Sequence, residues 1–496
     1  MDVVNERRAK LEKLREQGVE PIPHTFEGRT DIAEVRAAHE EIEPGAETDS
    51  SYRIAGRISA RREMGKASFI DIRDGSGKLQ LQARTAELSE ESYEGVLGLD
   101  LGDIVGVEGV VFASKRGELT LRVGGWELLA KSLRPPPEKF HGLEDVETRY
   151  RRRELDLIAN EETRELFAKR AATIAAVRVW LDERGFVEVE TPVLQPLYGG
   201  ALARPFVTHH NALDRDLYLR IATELYLKRL VVGGIDKVYE LGKDFRNEGI
   251  SHKHNPEFTM LEWYEAYADY NDAAERLEGL VSTVAERVLG TTEIERDGET
   301  IDFAPPWRRV TLRDAIAERA GIDITEHPTR EQLAAAMDSE PDPSEGWGKL
   351  VDGLLSKQVE PDLIQPTFVT DYPVELSPFA KAHRSEEGLV ERWEAFAGGI
   401  EIANAFTELN DPDEQRRRFE DQLRARERGD EEAHRMDEDF IRALEYGMPP
   451  AAGEGIGIDR LVMLFTDLPS IRDVILFPQL RPRERGQGRA GDQDVV

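Results

Sequence analysis

The stretch FRNEGISHKHNPEFTM, residues 245–260, places charged and amide side chains between two apolar segments. The apolar segment VYEL precedes it at 238–241, and a strand, a polar loop and a second strand are typical of a hairpin whose tip binds a charged group. Arg246 follows the first strand, where its guanidinium could hold a phosphate or a carboxylate through two hydrogen bonds. Phe258 lies on the returning strand, where its ring could stack on a purine. A solvated hairpin tip in which Arg246 pairs with Glu248 is the alternative interpretation.

A second segment, GGIEIANAFTELND at 398–411, combines carboxylates with small and amide residues. Side chains alternate between the faces of a regular strand, which predicts two sets: Glu401, Ala403 and Ala405 on one face, and Ile402, Asn404, Phe406 and Glu408 on the other. Glu394 adds a carboxylate just upstream. Buried carboxylates are costly unless they meet a cation, and binding of Mg²⁺ together with substrate phosphates would satisfy them. An edge strand whose acids face water is the alternative.

A third segment, GEGIGIDRLVMLFTDLPSIRDVILFP at 453–478, predicts a glycine-rich strand that runs into an amphipathic helix. Asp459 and Arg460 stand at the start of that helix, and glycines allow another group to approach the backbone closely. Close packing of the strand would also explain the glycines. Their spacing matches neither the dinucleotide-binding GxGxxG pattern nor a P-loop, which argues against both kinds of nucleotide site.

Composition excludes several classes of protein. A chain of 496 residues predicts two or three domains, and the absence of Cys excludes disulfides, thiol catalysis and Cys-ligated zinc. No long uncharged apolar run predicts a membrane span, and the charged N-terminus does not resemble a signal peptide. A cytoplasmic enzyme is therefore expected.

The formal net charge of −32 has two interpretations. Taken alone, it argues against a nucleic-acid partner, because binding to phosphates requires Lys and Arg. Acidic residues spread over the whole surface are also typical of proteins that remain soluble in concentrated salt, and we favour this second interpretation. It requires nucleic-acid contacts to come from local basic clusters, such as Arg57, Arg61, Arg62 and the run 149–153, and from uncharged groups.

Changes in pattern along the chain predict its organisation. The predicted parts are a helical extension at 1–50, a barrel of short strands at 51–130, a Pro-rich hinge at 131–160, a larger domain at 161–480 with an acidic insertion at about 290–366, and a disordered tail at 481–496. Residues 163–184 carry a helical stripe of apolar residues, and FVEVETPV after it reads as a strand that ends near Pro192.

Together these segments indicate a protein family more specifically than any one of them does alone. The element ending in FVEVETP, the hairpin FRNEG…HNPEF and the strand–helix GIGIDR resemble motifs one, two and three of class II aminoacyl-tRNA synthetases. With GRISARREMGKASFIDIRDGSGKLQLQ and LRIATELYLKRLVVGG, the chain from about residue 7 to 482 resembles the lysyl-tRNA synthetases of bacterial type. The resemblance implies an α+β fold: an N-terminal OB-type β-barrel that binds the anticodon, and a class II catalytic domain built on an antiparallel sheet flanked by helices.

The resemblance also implies an activity and a set of partners. The enzyme would activate L-lysine with ATP to lysyl-adenylate, release pyrophosphate, and transfer lysine to the 3′ end of tRNA(Lys). It would use Mg²⁺ and form a homodimer through the 163–192 element, without a membrane partner. Two enzymatic alternatives within reach are a lysyltransferase that modifies elongation factor P, which lacks the anticodon barrel, and an aspartyl- or asparaginyl-tRNA synthetase. A non-enzymatic descendant would have lost Arg246, Glu401 or Arg460, and all three are present.

Residue roles follow from the matched motif positions. Arg246 and Arg460 would be the catalytic residues. ATP would be bound by Arg246, Glu248, His254, Asn255, Phe258 and Arg460; lysine by Gly200, Glu224, Arg246, Glu262, Tyr264, Asn404, Phe406 and Glu408; Mg²⁺ by Glu394 and Glu401; and the anticodon by Phe69, Gln80 and Glu118.

Two further expectations concern specificity. A buried glutamate at the end of the pocket, Glu408, would select a cationic side chain, whereas an aspartate or asparagine pocket would offer Arg or Lys, which the matched positions do not supply. Tyr198, Leu202 and Lys253 depart from the residues usual in the family, and the first two could reshape the loop over the amino acid. Lys253 would reduce a two-bond phosphate contact to a point charge.

Overall fold

The computed structural model describes residues 2–16, 18, 20–137, 143–338, 345–427 and 433–482. The chain divides into two compact units, the first built from residues 1–145 and 154–160 and the second from 146–153 and 161–496. From residue 483 onward, the predicted disordered tail lies outside the described residues.

The first unit is a closed barrel. Its helices and strands are α1 (Val3–Glu16), α2 (Ile32–Ala38), β1 (Glu47–Met64), β2 (Ala67–Arg73), β3 (Lys78–Arg84), α3 (Glu90–Gly98), β4 (Ile104–Ala113) and β5 (Leu119–Ala130). The strands pair in the order β1-β2-β3-β5-β4 and close on themselves, so no strand edge is left unpaired. Alternate residues such as Ile70, Ile72, Leu79 and Leu81 fill the interior. The predicted OB-type barrel is confirmed.

The chain continues through a longer series of elements. The helices are α4 (Val146–Arg151), α5 (Arg153–Ala159), α6 (Glu161–Asp182), α7 (Glu224–Val232), α8 (Tyr270–Leu289), α9 (Leu312–Ala320), α10 (Arg330–Ala336), α11 (Trp347–Leu354), α12 (Pro412–Glu427), α13 (Glu438–Glu445) and α14 (Ile458–Phe465). The strands are β6 (Val187–Glu188), β7 (Leu194–Gln195), β8 (Val207–His210), β9 (Arg215–Leu219), β10 (Lys237–Phe245), β11 (Glu257–Ala266), β12 (Glu293–Arg296), β13 (Glu299–Asp302), β14 (Arg308–Thr311), β15 (Thr367–Pro373), β16 (Leu389–Ala397), β17 (Ile400–Thr407) and β18 (Ala451–Gly457). Of these, α5 belongs mainly to the first unit. None of the helices in the described part of the chain is long and apolar enough to cross a membrane.

An eight-stranded sheet organises the second unit, in the order β14-β15-β16-β17-β18-β11-β10-β6. The central pairs are antiparallel, and only the outermost pairs, β14 with β15 and β10 with β6, are parallel. Leu261, Trp263 and Ile456 point from one face into a core that also contains Val177 of α6 and Leu277 of α8. The predicted antiparallel sheet flanked by helices is confirmed.

The opposite face of the sheet carries the functional groups. Glu262 pairs with Gly455 and Tyr264 pairs with Gly453 across β11 and β18. Side chains alternate along each strand, so the carboxylate and the phenol stand beside positions that carry no side chain. This juxtaposition leaves room for a cavity above the sheet.

The boundaries differ locally from the sequence pattern. The range 131–160, predicted as a hinge, contains α4 and α5, and residues 138–142 within it lie outside the described part. The predicted strand FVEVETPV is reduced to β6, because beyond it the Thr191 backbone N–H and hydroxyl donate to Glu240 Oε2 instead of to a strand. The range 290–366 contributes β14 to the main sheet.

Candidate active site

A cavity of about 350 Å³ lies over the central strands of the sheet. Most of the residues expected to bind ligand line it: Gly200, Glu224, Arg246, Glu248, His254, Asn255, Phe258, Glu262, Tyr264, Glu401, Asn404, Phe406 and Arg460. Glu394 and Glu408 are not part of its wall, although each contacts or neighbours a residue that is. The structure therefore brings segments distant in sequence to one site.

The loop between β10 and β11 holds Arg246 at the mouth of this cavity. The Arg246 backbone N–H donates to the carbonyl of Pro256 at 2.9 Å, and its guanidinium carbon lies 5.1 Å from the centre of the Phe258 ring. Arg246 and Glu248 form no ion pair in the described structure, so the hairpin tip does not neutralise itself. Arg246 thus faces the cavity with its charge available to an anion.

His254 contributes a neutral imidazole to the same wall. Burial and then the positive charges of Arg460 and Lys253 lower the pKa of His254 to about 4. Its Nδ1 lies 2.8 Å from the Ser251 hydroxyl, and its Nε2 lies 3.4 Å from an Arg460 guanidinium nitrogen. This arrangement fits a tautomer in which Nδ1 carries the proton and Nε2 accepts.

A bulge on β17 overturns the predicted division of faces. Ala395 pairs with Ala403 but the next residue, Phe396, pairs with Glu401, which leaves Ile402 as an extra residue. Bulges re-aim side chains next to functional sites. Glu401 therefore lines the cavity together with Asn404 and Phe406, and the prediction that it shares a face with Ala403 and Ala405 is wrong.

Arg460 is fixed by this displaced glutamate. Its Nη1 donates to the Glu401 carbonyl at 2.8 Å and to Glu401 Oε2 at 2.9 Å. Burial acts to raise the pKa of Glu401, but the charge and hydrogen bonds of Arg460, with Arg392 and Arg246, lower it overall. Glu401 is therefore ionised at neutral pH.

Glu394, on the neighbouring strand, has a raised pKa, unlike Glu401. Burial raises the pKa of Glu394 to about 7, and the nearby Glu401 and Asp352 add to the rise that Arg392 opposes. Its oxygens accept from the Tyr372 hydroxyl at 2.9 Å and from Arg392 at 2.5 Å. These carboxylates repel one another, and a divalent cation with oxygen ligands would relieve that repulsion. No group of three or more metal-ligating side chains occurs among the described residues, so Glu394 and Glu401 fit a cation that takes its other ligands from substrate phosphates and water.

Arg392 is a site residue that the sequence reasoning missed. It lines the cavity, donates from Nε to Asn404 Oδ1 at 2.9 Å, and so fixes the orientation of that amide. Its position two residues before Glu394 on one strand face was the signal that could have identified it.

The far end of the cavity is an acidic pocket. Burial, then Asp244, raises the pKa of Glu262 to about 8, while its Oε1 accepts from the Thr223 backbone N–H at 3.1 Å. Burial also raises the pKa of Glu224, and Gly200, with a φ of 90°, lies against Glu224 so closely that a Cβ there would approach its Cβ to 2.9 Å. Desolvated carboxylates of this kind are suited to ammonium groups.

A lysine of the chain itself stands behind this pocket. Lys228 Nζ is 2.6 Å from Glu224 Oε1 and also forms an ion pair with Glu408 Oε2, and both Lys228 and Glu408 are 0% exposed. The matched positions themselves carry no Arg or Lys, but Lys228 behind them and Arg392 in the wall bring two cationic side chains to this region. The absence of cationic side chains therefore cannot be what distinguishes this pocket from an aspartate pocket.

Gly453 is required for the same end of the site to form. A Cβ at this position would lie 1.9 Å from Glu408 Oε1 and 2.3 Å from a Tyr264 ring carbon. Only glycine admits both side chains over β18. The glycine-rich strand predicted from the sequence thus serves the cavity, beyond close packing.

Helix α6 is tied to the site by a buried ion pair. Arg170 Nη1 lies 2.7 Å from Asp459 Oδ1, and Asp459 Oδ2 accepts from the Thr259 backbone N–H at 2.7 Å. Arg170 also donates to the Thr259 hydroxyl at 3.0 Å. Because Thr259 follows Phe258 and Asp459 precedes Arg460, this network sets the relative positions of those two residues.

Comparison with known proteins agrees with this geometry. Residues 145–481 match the family of class II tRNA synthetases for D, K and N, and residues 52–129 match the OB-fold nucleic acid binding domain. The chain is 54% identical to the lysine–tRNA ligase of Pelotomaculum thermopropionicum over 97% of this chain and 96% of that protein. It is 54% identical to that of Moorella thermoacetica (97% and 98%) and 53% identical to that of Roseiflexus castenholzii (97% and 99%). The chain belongs to the lysine–tRNA ligase family. These matches also remove the aspartate, asparagine and elongation-factor alternatives.

The departures from usual lysine–tRNA ligase residues have distinct surroundings. Tyr198 is buried and accepts a hydrogen bond from Arg426 Nη1 at 3.0 Å; it does not line the cavity, whereas Leu202 does. Lys253 lines the cavity and pairs with Glu360 Oε1 at 2.6 Å. The side chain of Tyr198 therefore does not reach the amino-acid end, and Lys253 already has an anionic partner.

The expected anticodon residues of the ligase differ in exposure. Phe69 is half-buried and pairs with Gln82, while Gln80 on the adjacent strand pairs with Asp71, which places Phe69 and Gln80 on the same face of the sheet, but Gln80 is buried there. Gln80 accepts from the Thr120 hydroxyl at 3.3 Å, and Glu118 is exposed just before β5.

Two arginines of the expected basic clusters are used internally. Arg61 donates to the carbonyls of Leu97 and Leu99, both at 2.7 Å. Arg153 is 1% exposed and donates from Nε to the Leu476 carbonyl at 2.9 Å. Arg153 is therefore not accessible to a phosphate, and Arg61 already uses one of its guanidinium nitrogens inside the barrel unit.

The Arg170 network generates a stability prediction. Arg170→Met leaves the Asp459 carboxylate buried without its cation, and we expect a loss of about 3 kcal/mol in the free energy of unfolding, since breaking a buried pair costs about 3–5 kcal/mol. Arg178→Met on the same helix removes a pair in which both side chains are about 40% exposed, and should cost less than about 1 kcal/mol. Urea denaturation of both variants measures the difference; equal losses would contradict the assigned role of the network.

Proposed function

We propose that this chain activates L-lysine with ATP, forming lysyl-adenylate and pyrophosphate, and transfers lysine to the 3′ end of tRNA(Lys). The observation that carries the proposal is the polarity of one cavity: arginines and an aromatic ring at one end, buried carboxylates at the other. Lysine brings a carboxylate and two ammonium groups, and ATP brings a purine and phosphates. Both substrates fit this polarity with their reacting groups meeting near Arg246.

The cationic end would bind ATP. Phe258 and Arg460 would hold the adenine ring between them by stacking and cation–π contact. Arg246 would contact both the α-phosphate and the lysine carboxylate, with Glu248, His254 and Asn255 contacting the nucleotide. The neutral His254 is suited to this position because it accepts or donates a hydrogen bond without adding charge.

Glu394 and Glu401 would hold Mg²⁺ together with ATP phosphate oxygens. Bound there, the ion would supply neutralisation of phosphate charge. The carboxylates themselves contribute the oxygen ligands and, through Arg460, couple this region to the residue that covers the adenine.

The acidic end would bind lysine. Glu224 and Glu262, with the backbone at Gly200, would accept hydrogen bonds from the α-ammonium group. The aliphatic stem would lie between Tyr264 and Phe406, with Asn404 held beside it by Arg392. Glu408, over Gly453, would accept from the side-chain ammonium.

Chemistry in this site consists of positioning and charge stabilisation without a protein nucleophile. A lysine carboxylate oxygen attacks the α-phosphorus, the bond from that phosphorus to the bridging oxygen breaks, and pyrophosphate leaves. A ribose hydroxyl of the tRNA terminus then attacks the adenylate carbonyl, and AMP leaves. Arg246 draws the first two reactants together, which converts a bimolecular encounter into an oriented one.

The remaining partners follow from the two units. The barrel would read the tRNA anticodon with Phe69, Gln80 and Glu118. A homodimer would form through residues 163–192, where Val179 and Val187 are exposed. We propose a cytoplasmic location for this reaction, and domain functions that follow the boundaries 1–50, 51–130, 131–160 and 161–480.

Lysine-dependent exchange of pyrophosphate into ATP tests the function. We expect exchange with lysine and none with aspartate or asparagine. Arg246→Ala should reduce the rate roughly 10²–10³-fold, as removal of one transition-state donor does. Arg308→Ala, which removes an exposed pair with Glu318, is the matched control. Exchange with aspartate alone, or a near-normal rate for Arg246→Ala, would refute the assignment.

Glu262 predicts a pH dependence for lysine binding. With a pKa of about 8, Glu262 holds a proton in the free enzyme at pH 7, whereas an ammonium partner favours the ionised form. Lysine binding therefore releases this proton below pH 8, and the KM for lysine should fall as pH rises from about 6 to about 8, by up to about tenfold per pH unit. Glu262→Gln should have a higher KM with a flatter pH profile over this range. An unchanged profile in that variant would show that another group controls the dependence.

Phe69 predicts a barrel contribution to tRNA affinity. Stacking of a base on an aromatic side chain contributes about 1–3 kcal/mol. Phe69→Ala should therefore raise the Kd for tRNA(Lys) about tenfold, with no change in the rate of pyrophosphate exchange. Tyr446→Ala removes an exposed ring from the other unit and serves as the control. Equal affinities for the Phe69 variant and the unaltered chain, compared at one KCl concentration, would exclude this contact.

A further inference from the structure

The buried ammonium of Lys228 is not used by any step described above. It lies on α7 one turn after Glu224, between the carboxylates of Glu224 and Glu408. Its Nζ is also 5.1 Å from the ring centre of Phe379 and 5.4 Å from that of Phe406. Two carboxylates and two aromatic rings thus surround the ammonium of Lys228, and groups of both kinds stabilise an ammonium ion.

Lys228 occupies only part of the bonding capacity of Glu408. Its ammonium forms the ion pair with Oε2; both oxygens are buried and accept no hydrogen bond from the described residues, so Oε1 has neither kind of contact assigned to it. Oε1 is the atom that a Cβ on Gly453 would approach to 1.9 Å, beside the Tyr264 ring. Gly453 and Tyr264 both line the cavity, so this oxygen lies directly behind two residues of the cavity wall.

The electrostatics show what Lys228 contributes. Burial acts to lower the pKa of Lys228, but Glu224 and Glu408 outweigh it and raise that pKa, so the side chain remains an ammonium. Burial raises the pKa of Glu408 well above its ordinary value, Glu224 and Glu262 add to the rise, and the ammonium of Lys228 opposes it. The charge of Arg392 acts in the same way on Glu224, whose pKa it lowers. Lys228 is therefore the cation that most favours the ionised form of Glu408.

We propose that Lys228 is a positioning residue for amino-acid selection: its ammonium binds Glu408 Oε2 and holds the carboxylate turned so that Oε1 is left for the side-chain ammonium of the substrate. This inference rests on the proposed function of Glu408. Without Lys228, Glu408 would lose the ion pair that orients its carboxylate and the cation that most favours its ionised form. The pocket would then lose affinity for lysine while the ATP end stayed intact.

Lys228→Met tests the proposal by separating the two substrates. In pyrophosphate exchange we expect the KM for lysine to rise at least tenfold and the KM for ATP to change less than twofold. Lys237→Met, which removes an ion pair with Glu265 on the neighbouring strand β11, controls for loss of a lysine and should leave both values unchanged. A lysine KM within twofold of the unaltered chain would overturn the proposal, as would an equal rise in both constants.

A double-mutant cycle separates this inference from the proposed function. If Glu408→Gln leaves the lysine KM unchanged, the pocket assignment itself is wrong. If Glu408→Gln raises it but Lys228→Met does not, the pocket assignment stands and the role of Lys228 is refuted. Lys228→Met combined with Glu408→Gln removes one charge of each sign, which keeps the test available if the single Lys228 variant does not fold. We expect this double variant to match Glu408→Gln in lysine KM within about twofold; a further tenfold rise would show that Lys228 acts independently of Glu408.

Discussion

The cost of removing carboxylates from water is the constraint on which this site depends. Glu224, Glu262 and Glu408 are all less than 7% exposed and have raised pKa values. An isolated buried charge is strongly destabilising, so each must be paired, protonated or left for a ligand. The chain uses all three solutions within one pocket. Burying these carboxylates lowers the folding stability of the free enzyme, and binding of a cationic substrate restores it.

Backbone geometry makes this concentration of groups possible. The pairing of β11 with β18 sets Glu262 and Tyr264 beside glycines, and the bulge at Ile402 turns Glu401 toward the same cavity. Glu454, between Gly453 and Gly455, lies on a buried strand position where burial raises its pKa well above the ordinary value. The sheet thus keeps one face open for ligand and the other closed against α6 and α8.

Sequence patterns predicted the parts of this arrangement that depend on local periodicity or on motif resemblance. The barrel, the hairpin around Arg246 and the passage from β18 into α14 are local features and were predictable. The bulge was not predictable, because the apolar and polar pattern of the sequence does not reveal a single extra residue such as Ile402 until the pairing with the neighbouring strand is known. Lys228 was missed because a lysine in an amphipathic helix ordinarily faces water, and only the tertiary fold places Glu408 opposite it. Arg61 and Arg153 show the opposite kind of error. Basic clusters in the sequence suggest nucleic-acid contact, but these two arginines donate hydrogen bonds to backbone carbonyls inside the fold.

The charged state of Lys228 has a chemical consequence for an enzyme that makes an activated acyl group. An aminoacyl-adenylate is a mixed anhydride, and it would acylate an unprotonated lysine side chain of the enzyme that lay close to it. Glu224 and Glu408 raise the pKa of Lys228 and occupy its protons, so its nitrogen has no lone pair with which to attack. The same ion pairs that hold the pocket together therefore make the amine of Lys228 inert as a nucleophile.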